Sequence, residues 1–369
     1  MVNSVRMRGP VTAETHAKER GFLCAVLAAI EDRTAVAALP HDGQGDQNDD
    51  ADLFLRVARR HRLTPLLSAV CGDALTGALA QACRNDRLMT AARNLRFAQI
   101  GEECLRGLAG AGVPVIVLKG IAYERLLYAG AGARPTADVD LLVPSAQRRA
   151  AFRALDRLGF EPRAAAPGFD DADYHEVAWR REDVEVDLHL ALAPTVRCDI
   201  DYQEVWGRAE PITIGETDAK VLHAEHAAVF HGLHMAIDHF DVPALYLIDL
   251  ARLLPSEAEL AGAEETARAW GCWRPFATAT ALAEAFLPVW RAGHRERPAP
   301  WRARQVVARF GPIERLPRWA QLARKVSHFD DPVTALRYAA VQGWRKGREV
   351  ALRRFGGRSA RERLGLDRE

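Results

Sequence analysis

Several features that would narrow the chain's setting are missing from it. Its six cysteines, at positions 24, 71, 83, 104, 198 and 272, show no C-x-x-C spacing. That excludes a zinc knuckle and a disulfide framework and fits reduced core thiols. No apolar run approaches the ~18 residues a membrane span needs, and the opening M-V-N-S-V-R-M-R-G-P has no apolar signal core behind its charges. A cytoplasmic protein without a transmembrane segment is therefore expected. Charge of one sign is lacking as well: fifty Lys and Arg stand against forty-nine Asp and Glu, a net charge of +1. Nothing in that balance draws the chain to nucleic acid or to a lipid surface. Although histidines crowd residues 223–239, no H-x-x-x-H pair encloses a glutamate, so the zinc-protease motif is absent.

What remains is a globular composition. With 369 residues, 49% hydrophobic and 27% charged, the chain can bury a full core, as two domains or as one domain with a large helical annex. Periodicity predicts a helix over residues 16–38, with Phe22, Leu23, Val26, Leu27 and Ile30 as its apolar stripe. Residues 40–50 are acidic, glycine-rich and without apolar content, which predicts a surface loop. Helices are expected over 51–80 and 85–109, the second presenting Leu88, Ala91, Ala92, Leu95, Phe97 and Ile100 to the core. Pro144-Ser145 opens another helix, and 164–173 reads as a polar loop. Two strands, 174–180 and 184–190, form a hairpin around Arg181-Glu182-Asp183. From Asp218 to about Leu254 the pattern is helical, with a break at Asp241-Val242-Pro243, and further helices lead to a basic C-terminal tail.

The chemistry concentrates in residues 113–143. An apolar run ends at Lys119-Gly120 and passes into a helical pattern, which stops at the glycines around 130–132. A second strand then begins with Asp138-Val139-Asp140. Side chains alternate across a strand, so Asp138 and Asp140 point one way while Val139, Leu141 and Val143 point the other. Two carboxylates side by side are hard to keep ionised without a cation between them, and a divalent metal is the natural partner. In the strand 184–190, Glu185, Asp187 and His189 form a second polar row. If the two strands are neighbours, Asp187 supplies a third carboxylate, with Glu185 as its competitor. His175 and His189 are candidates to line the same cleft, as substrate ligands, as a base or simply as packed side chains.

These residues carry a resemblance. Leu118-Lys119-Gly120, Arg134, the run from Asp138 to Val143, the run from Val184 to His189 and the histidine-rich helix near 231–239 resemble the nucleotidyltransferase superfamily to which DNA polymerase beta belongs. The closer likeness is to a bacterial family of uncharacterised nucleotidyltransferases. In this chain Lys119 and Ile121 stand where the superfamily has the small residue and the serine of its phosphate-cradling turn. The resemblance implies an α+β fold, with a small mixed nucleotidyltransferase-type β-sheet embedded in a largely helical chain. It implies an N-terminal helical region (1–110), a catalytic core (111–215), a C-terminal helical domain (216–335) and a basic helical tail (336–369).

The expected activity is magnesium-dependent transfer of a nucleoside monophosphate from a nucleoside triphosphate, such as ATP, to a hydroxyl or phosphate acceptor, with release of pyrophosphate. Asp138, Asp140 and Asp187 are the expected catalytic and metal-binding residues for two Mg2+ ions. Lys119, Gly120 and Arg134 are the expected nucleotide contacts, and the resemblance adds His234 and Asp249 near the cleft. The acceptor is a small molecule, peptide or protein, with nucleic acid disfavoured by the neutral charge. Two alternatives stay open: a degenerate member that binds nucleotide or a partner protein without turnover, and a nucleic-acid-modifying enzyme supported only by the basic tail.

Overall fold

The computed structural model describes residues 13–39, 47–163, 175–194, 197–238, 240–295, 297, 300–310 and 329–341. Most of the acidic segment 40–50, the expected polar loop 164–173, His239 and residues 342–369 of the basic tail lie outside them.

Among the described residues four α-helices precede the first strand: α1 (Ala13–Glu31), α2 (Gln47–Arg60), α3 (Thr64–Cys71) and α4 (Gly77–Gly110). Strand β1 (Ile116–Leu118) runs directly into α5 (Lys119–Tyr128), and β2 (Val139–Leu142) follows. Next come α6 (Arg148–Arg157), β3 (Glu161–Pro162), β4 (Glu176–Arg181), β5 (Val184–His189), α7 (Tyr202–Gly207), β6 (Glu210–Ile214) and β7 (Thr217–Val221). Helices α8 (Ala224–Ile237), α9 (Leu245–Leu253), α10 (Glu257–Ala269), α11 (Trp273–Phe286), α12 (Pro288–Ala292) and α13 (Trp301–Arg309) complete the order. The fold is α+β: one mixed sheet, ordered β3-β4-β5-β2-β1-β7-β6 among the described residues, set within helices. β2 lies parallel to β5 and β1 parallel to β7; the other neighbours are antiparallel. No described helix is long and apolar enough to cross a membrane.

Two sequence expectations are corrected. Residues 217–221 are a strand, not the start of a helix. They form a hairpin with β6 through a turn at Gly215, whose φ of +59° suits glycine. Pairing of Lys220 and Val221 with β1 holds them extended against the local helical pattern. The second correction concerns α4. Leu88 and Leu95, expected in the core, are 68% and 62% exposed, and the buried face is Thr90, Asn94, Phe97, Gly101, Cys104 and Leu108. Asn94 decides that rotation: its amide donates to the Arg134 carbonyl at 2.8 Å and accepts from the Thr136 amide at 3.1 Å. A buried side chain satisfying two backbone groups outweighs the burial of a leucine that has no neighbour.

The sheet separates two apolar cores. On one face Val117, Val139, Leu141, Val186 and Leu188 pack with Phe97, Leu105 and Leu108 of α4 and Phe152 and Leu155 of α6. On the other, Ile116, Leu118 and Leu142 join a core built jointly by α1, α2 and α3 with α8, α9, α10 and α11. Because side chains alternate, burying Val139, Leu141, Val186 and Leu188 on the first face turns Asp140, Asp187 and His189 toward the second.

Candidate active site

The site begins at the junction of β1 and α5. Lys119 and Gly120 both have positive φ, +32° and +25°, a region that costs a lysine energy and persists only where its surroundings enforce it. The enforcing contacts come from β2 and the segment before it. A Cβ on Gly120 would stand 3.2 Å from the Asp138 carbonyl and 3.3 Å from Thr136 Cγ2, so the turn rests directly on the chain entering β2. That geometry aims Lys119 inward. Its buried Nζ lies 3.1 Å from Asp140 Oδ1 and 5.4 Å from the centre of the Phe230 ring on α8.

Register brings the carboxylates together. Leu118 of β1 pairs with Asp140 of β2, and Asp140 pairs with Asp187 of β5. Next along β5, His189 places Nε2 3.1 Å from the same Asp140 Oδ1, and its Nδ1 lies 3.5 Å from Glu176 Oε2. Asp138 stands just before β2 on the Asp140 face.

The three acids differ in charge state. Burial pushes the Asp187 carboxyl up to about 7, with Asp140 adding to the effect, and burial together with Asp140 pushes Asp138 up to about 6. Burial acts on Asp140 in the same sense, but the Lys119 ammonium and the His189 hydrogen bond outweigh it and hold that carboxyl well below the usual range. Across the cleft, burial and the Lys119 charge push the His234 imidazole well below its ordinary value, so it is neutral. Its ring stacks on Tyr246 of α9, with centroids 6.0 Å apart.

Other predicted residues are placed differently. Glu185 pairs with Arg163 at 2.7 Å, which leaves Asp187 as the carboxylate beside Asp140. His175, at the entry to β4, accepts main-chain hydrogen bonds from Leu190 and Ala191, and its Nε2 is 3.8 Å from Glu176. Arg134 is buried beneath the turn. Its guanidinium meets Asp249 at 2.8–3.1 Å, Tyr128 donates to the same carboxylate at 2.7 Å, and Nη1 reaches the Gly120 carbonyl at 3.4 Å.

Sequence reasoning missed Arg62, Phe230, Tyr246 and Asn94. Arg62, in the turn between α2 and α3 at φ +59°, is close enough for its charge to lower the Asp138 and Tyr246 ionisations. Its neighbour His61 anchors that turn to α9, accepting from the Ala244 amide on Nδ1 and from the Leu245 amide on its carbonyl. The positive φ leaves no sequence mark on an arginine; Phe230 and Tyr246 read as ordinary members of apolar helices.

Among the described residues no three His, Cys, Asp or Glu side chains stand close enough to share one ion as they are placed. The donor chemistry nevertheless fits a divalent cation. Three carboxylates share one face, Asp140 raises the proton affinity of both Asp138 and Asp187, and the buried Thr136 hydroxyl beside the turn has no partner.

The family described as an uncharacterised nucleotidyltransferase matches residues 47–288. No curated protein matches the chain. Among solved structures, the solution structure of the antibiotic-resistance factor ANT(2'')-Ia is similar at 14% identity and a TM-score of 0.34, covering 46% of this chain and 90% of that one.

Proposed function

Because the chain belongs to this uncharacterised nucleotidyltransferase family, we propose that it moves a nucleoside monophosphate from a nucleoside triphosphate to a hydroxyl or phosphate on a small molecule, peptide or protein. Magnesium is the proposed cofactor. The observation that carries this reading is the convergence of Asp138, Asp140 and Asp187 on one sheet face, with the Lys119-Gly120 turn packed against Asp138 and Asp140.

The acceptor oxygen attacks the α-phosphorus, the bond from that phosphorus to the bridging oxygen breaks, and pyrophosphate leaves. Asp187, whose carboxyl is pushed up to about 7, is the proposed acceptor of that hydroxyl's proton. A divalent ion held by Asp138, Asp140 and Asp187 would lower the acceptor's pKa and neutralise developing charge. Lys119 and the backbone at the start of α5 meet the triphosphate, and Arg62 adds a guanidinium from the N-terminal helices. Arg134, committed to Asp249, holds the turn from below by its contact with the Gly120 carbonyl. Neutral His234 and Tyr246 form the opposing wall.

The test is calorimetric titration of each nucleoside triphosphate, with and without Mg2+, into the wild type and Asp138→Asn/Asp140→Asn, followed by a screen for pyrophosphate release. Magnesium-dependent binding that disappears in the double variant is expected. Equal binding in both proteins, or none in either, would remove the nucleotide from this carboxylate face. The double hold on Asp140 Oδ1 favours one further reading, a member that binds nucleotide without turnover. Binding without pyrophosphate release from any acceptor would select it.

A further inference from the structure

Of the cations Lys119, Arg134 and Arg62, two are already engaged. Lys119 Nζ lies 3.1 Å from Asp140 Oδ1, and the Arg134 guanidinium is bound to Asp249 at 2.8–3.1 Å. Each meets a nucleotide with its charge already answered by a carboxylate. Arg62 differs: among the described residues its half-buried side chain makes no ion pair and no hydrogen bond.

The backbone at Arg62 is fixed by its neighbours. Helix α2 closes with the Leu63 amide donating to the Ala58 carbonyl at 2.8 Å and the Arg62 amide donating to the Arg59 carbonyl at 3.0 Å. In that paired closure the left-handed residue is most often glycine; here it is Arg62, at φ +59°. The helix end explains the φ but not the side chain, because glycine would close the same turn with less strain. One residue earlier, His61 ties the turn to α9, accepting from the Ala244 amide at 3.1 Å and the Leu245 amide at 3.3 Å. Arg62 is thereby carried to the start of the helix that presents Tyr246. Its charge is felt at both Tyr246 and Asp138, so the guanidinium lies on the cleft side of the turn.

A half-buried guanidinium without an anion beside it, next to carboxylates it does not pair with, lacks a counter-charge that a ligand can supply. We infer that Arg62 binds the β- and γ-phosphates of the nucleoside triphosphate, so that the N-terminal helices complete the nucleotide site and select a triphosphate over a monophosphate. This rests on the transferase reading and specifies how that site recognises its donor. The α-phosphate must sit against the carboxylates, where the acceptor attacks. Arg62, beyond ion-pairing distance of them, reaches the part of the nucleotide that projects away, the leaving pyrophosphate. The planar fork of N–H donors on arginine suits two phosphate oxygens at once.

The experiment measures, by calorimetry on the full chain in Mg2+, the Kd of the α,β-methylene analogue of each of the four ribonucleoside triphosphates and of the matching monophosphates. Arg62→Gly removes the guanidinium and suits the left-handed backbone, and Arg62→Gln keeps a long polar side chain without the charge. Circular dichroism checks that each variant folds. With the analogue that binds, both variants should raise Kd about ten- to a hundredfold while changing monophosphate binding less than about twofold. An unchanged Kd for the analogue in a folded variant, or an equal loss on the monophosphate, would overturn the inference and leave the transferase reading standing. Binding of no analogue to the wild type would overturn that reading and the inference with it.

Discussion

At the scale of single residues, the site is a set of carboxylates held apart in proton affinity by what touches each. Asp140, paired with Lys119 and His189, stays ionised; Asp138 and Asp187, half-buried and near it, are pushed up to about 6 and about 7. In the unfolded chain both titrate near the usual ~3.9. The folded state therefore keeps protons that the unfolded state releases, and the stability linked to these two groups is lost as pH rises from about 4 to about 7. Metal-free protein should accordingly melt at a lower temperature as pH climbs through that window, and Asp138→Asn/Asp187→Asn should flatten the slope. Added Mg2+ should raise the melting temperature more at pH 8 than at pH 5, because protons compete for the same oxygens below about 6. Thermal melts in chelator and in Mg2+ check this; an equal Mg2+ effect at both values would separate the ion from these carboxylates.

At the scale of elements, the β1–α5 turn decides the geometry. Its glycine faces the chain entering β2 so closely that a methyl group would meet the Asp138 carbonyl at 3.2 Å and Thr136 at 3.3 Å. Gly120→Ala should cost about 1–3 kcal/mol through strain and crowding and weaken nucleotide binding by displacing Lys119. Gly130, also at positive φ but with open space around it, supplies the control: Gly130→Ala bears the backbone penalty alone, about 1 kcal/mol. Denaturant midpoints for the two variants measure the difference, and equal midpoints would mean that the turn does not press on Asp138. Strands β1, β2, β4 and β5, the helix following Lys119 and the alternation of β2 and β5 were legible in the sequence, because periods of two and 3.6 are written into local side-chain order. The rotation of α4 was not. A polar Asn94 faces inward to satisfy two backbone groups of the 134–136 segment, and periodicity counts only apolar residues.

At the scale of the whole molecule, the N-terminal helices and the C-terminal helices share one core against the sheet face that carries the acids. Removing either set would strip apolar cover from the other, so calorimetry should show a single cooperative transition in which the calorimetric and van't Hoff enthalpies agree. Two separated transitions would instead mark 1–110 and 216–335 as independent units. The same packing brings Arg62, His234 and Tyr246 to carboxylates far away in sequence. The sequence by itself determined the α+β class, the Lys-Gly turn after the first strand, and the sidedness of Asp138, Asp140 and Asp187, because each depends on neighbours a few residues apart. Only the tertiary structure decided that β5 lies in register beside β2, that residues 217–221 extend the sheet, that Arg134 is spent on Asp249 and that Arg62 enters the site. Those outcomes depend on pairing and burial between segments up to a hundred or more residues apart, and local order does not encode which partner a strand or a buried charge will find.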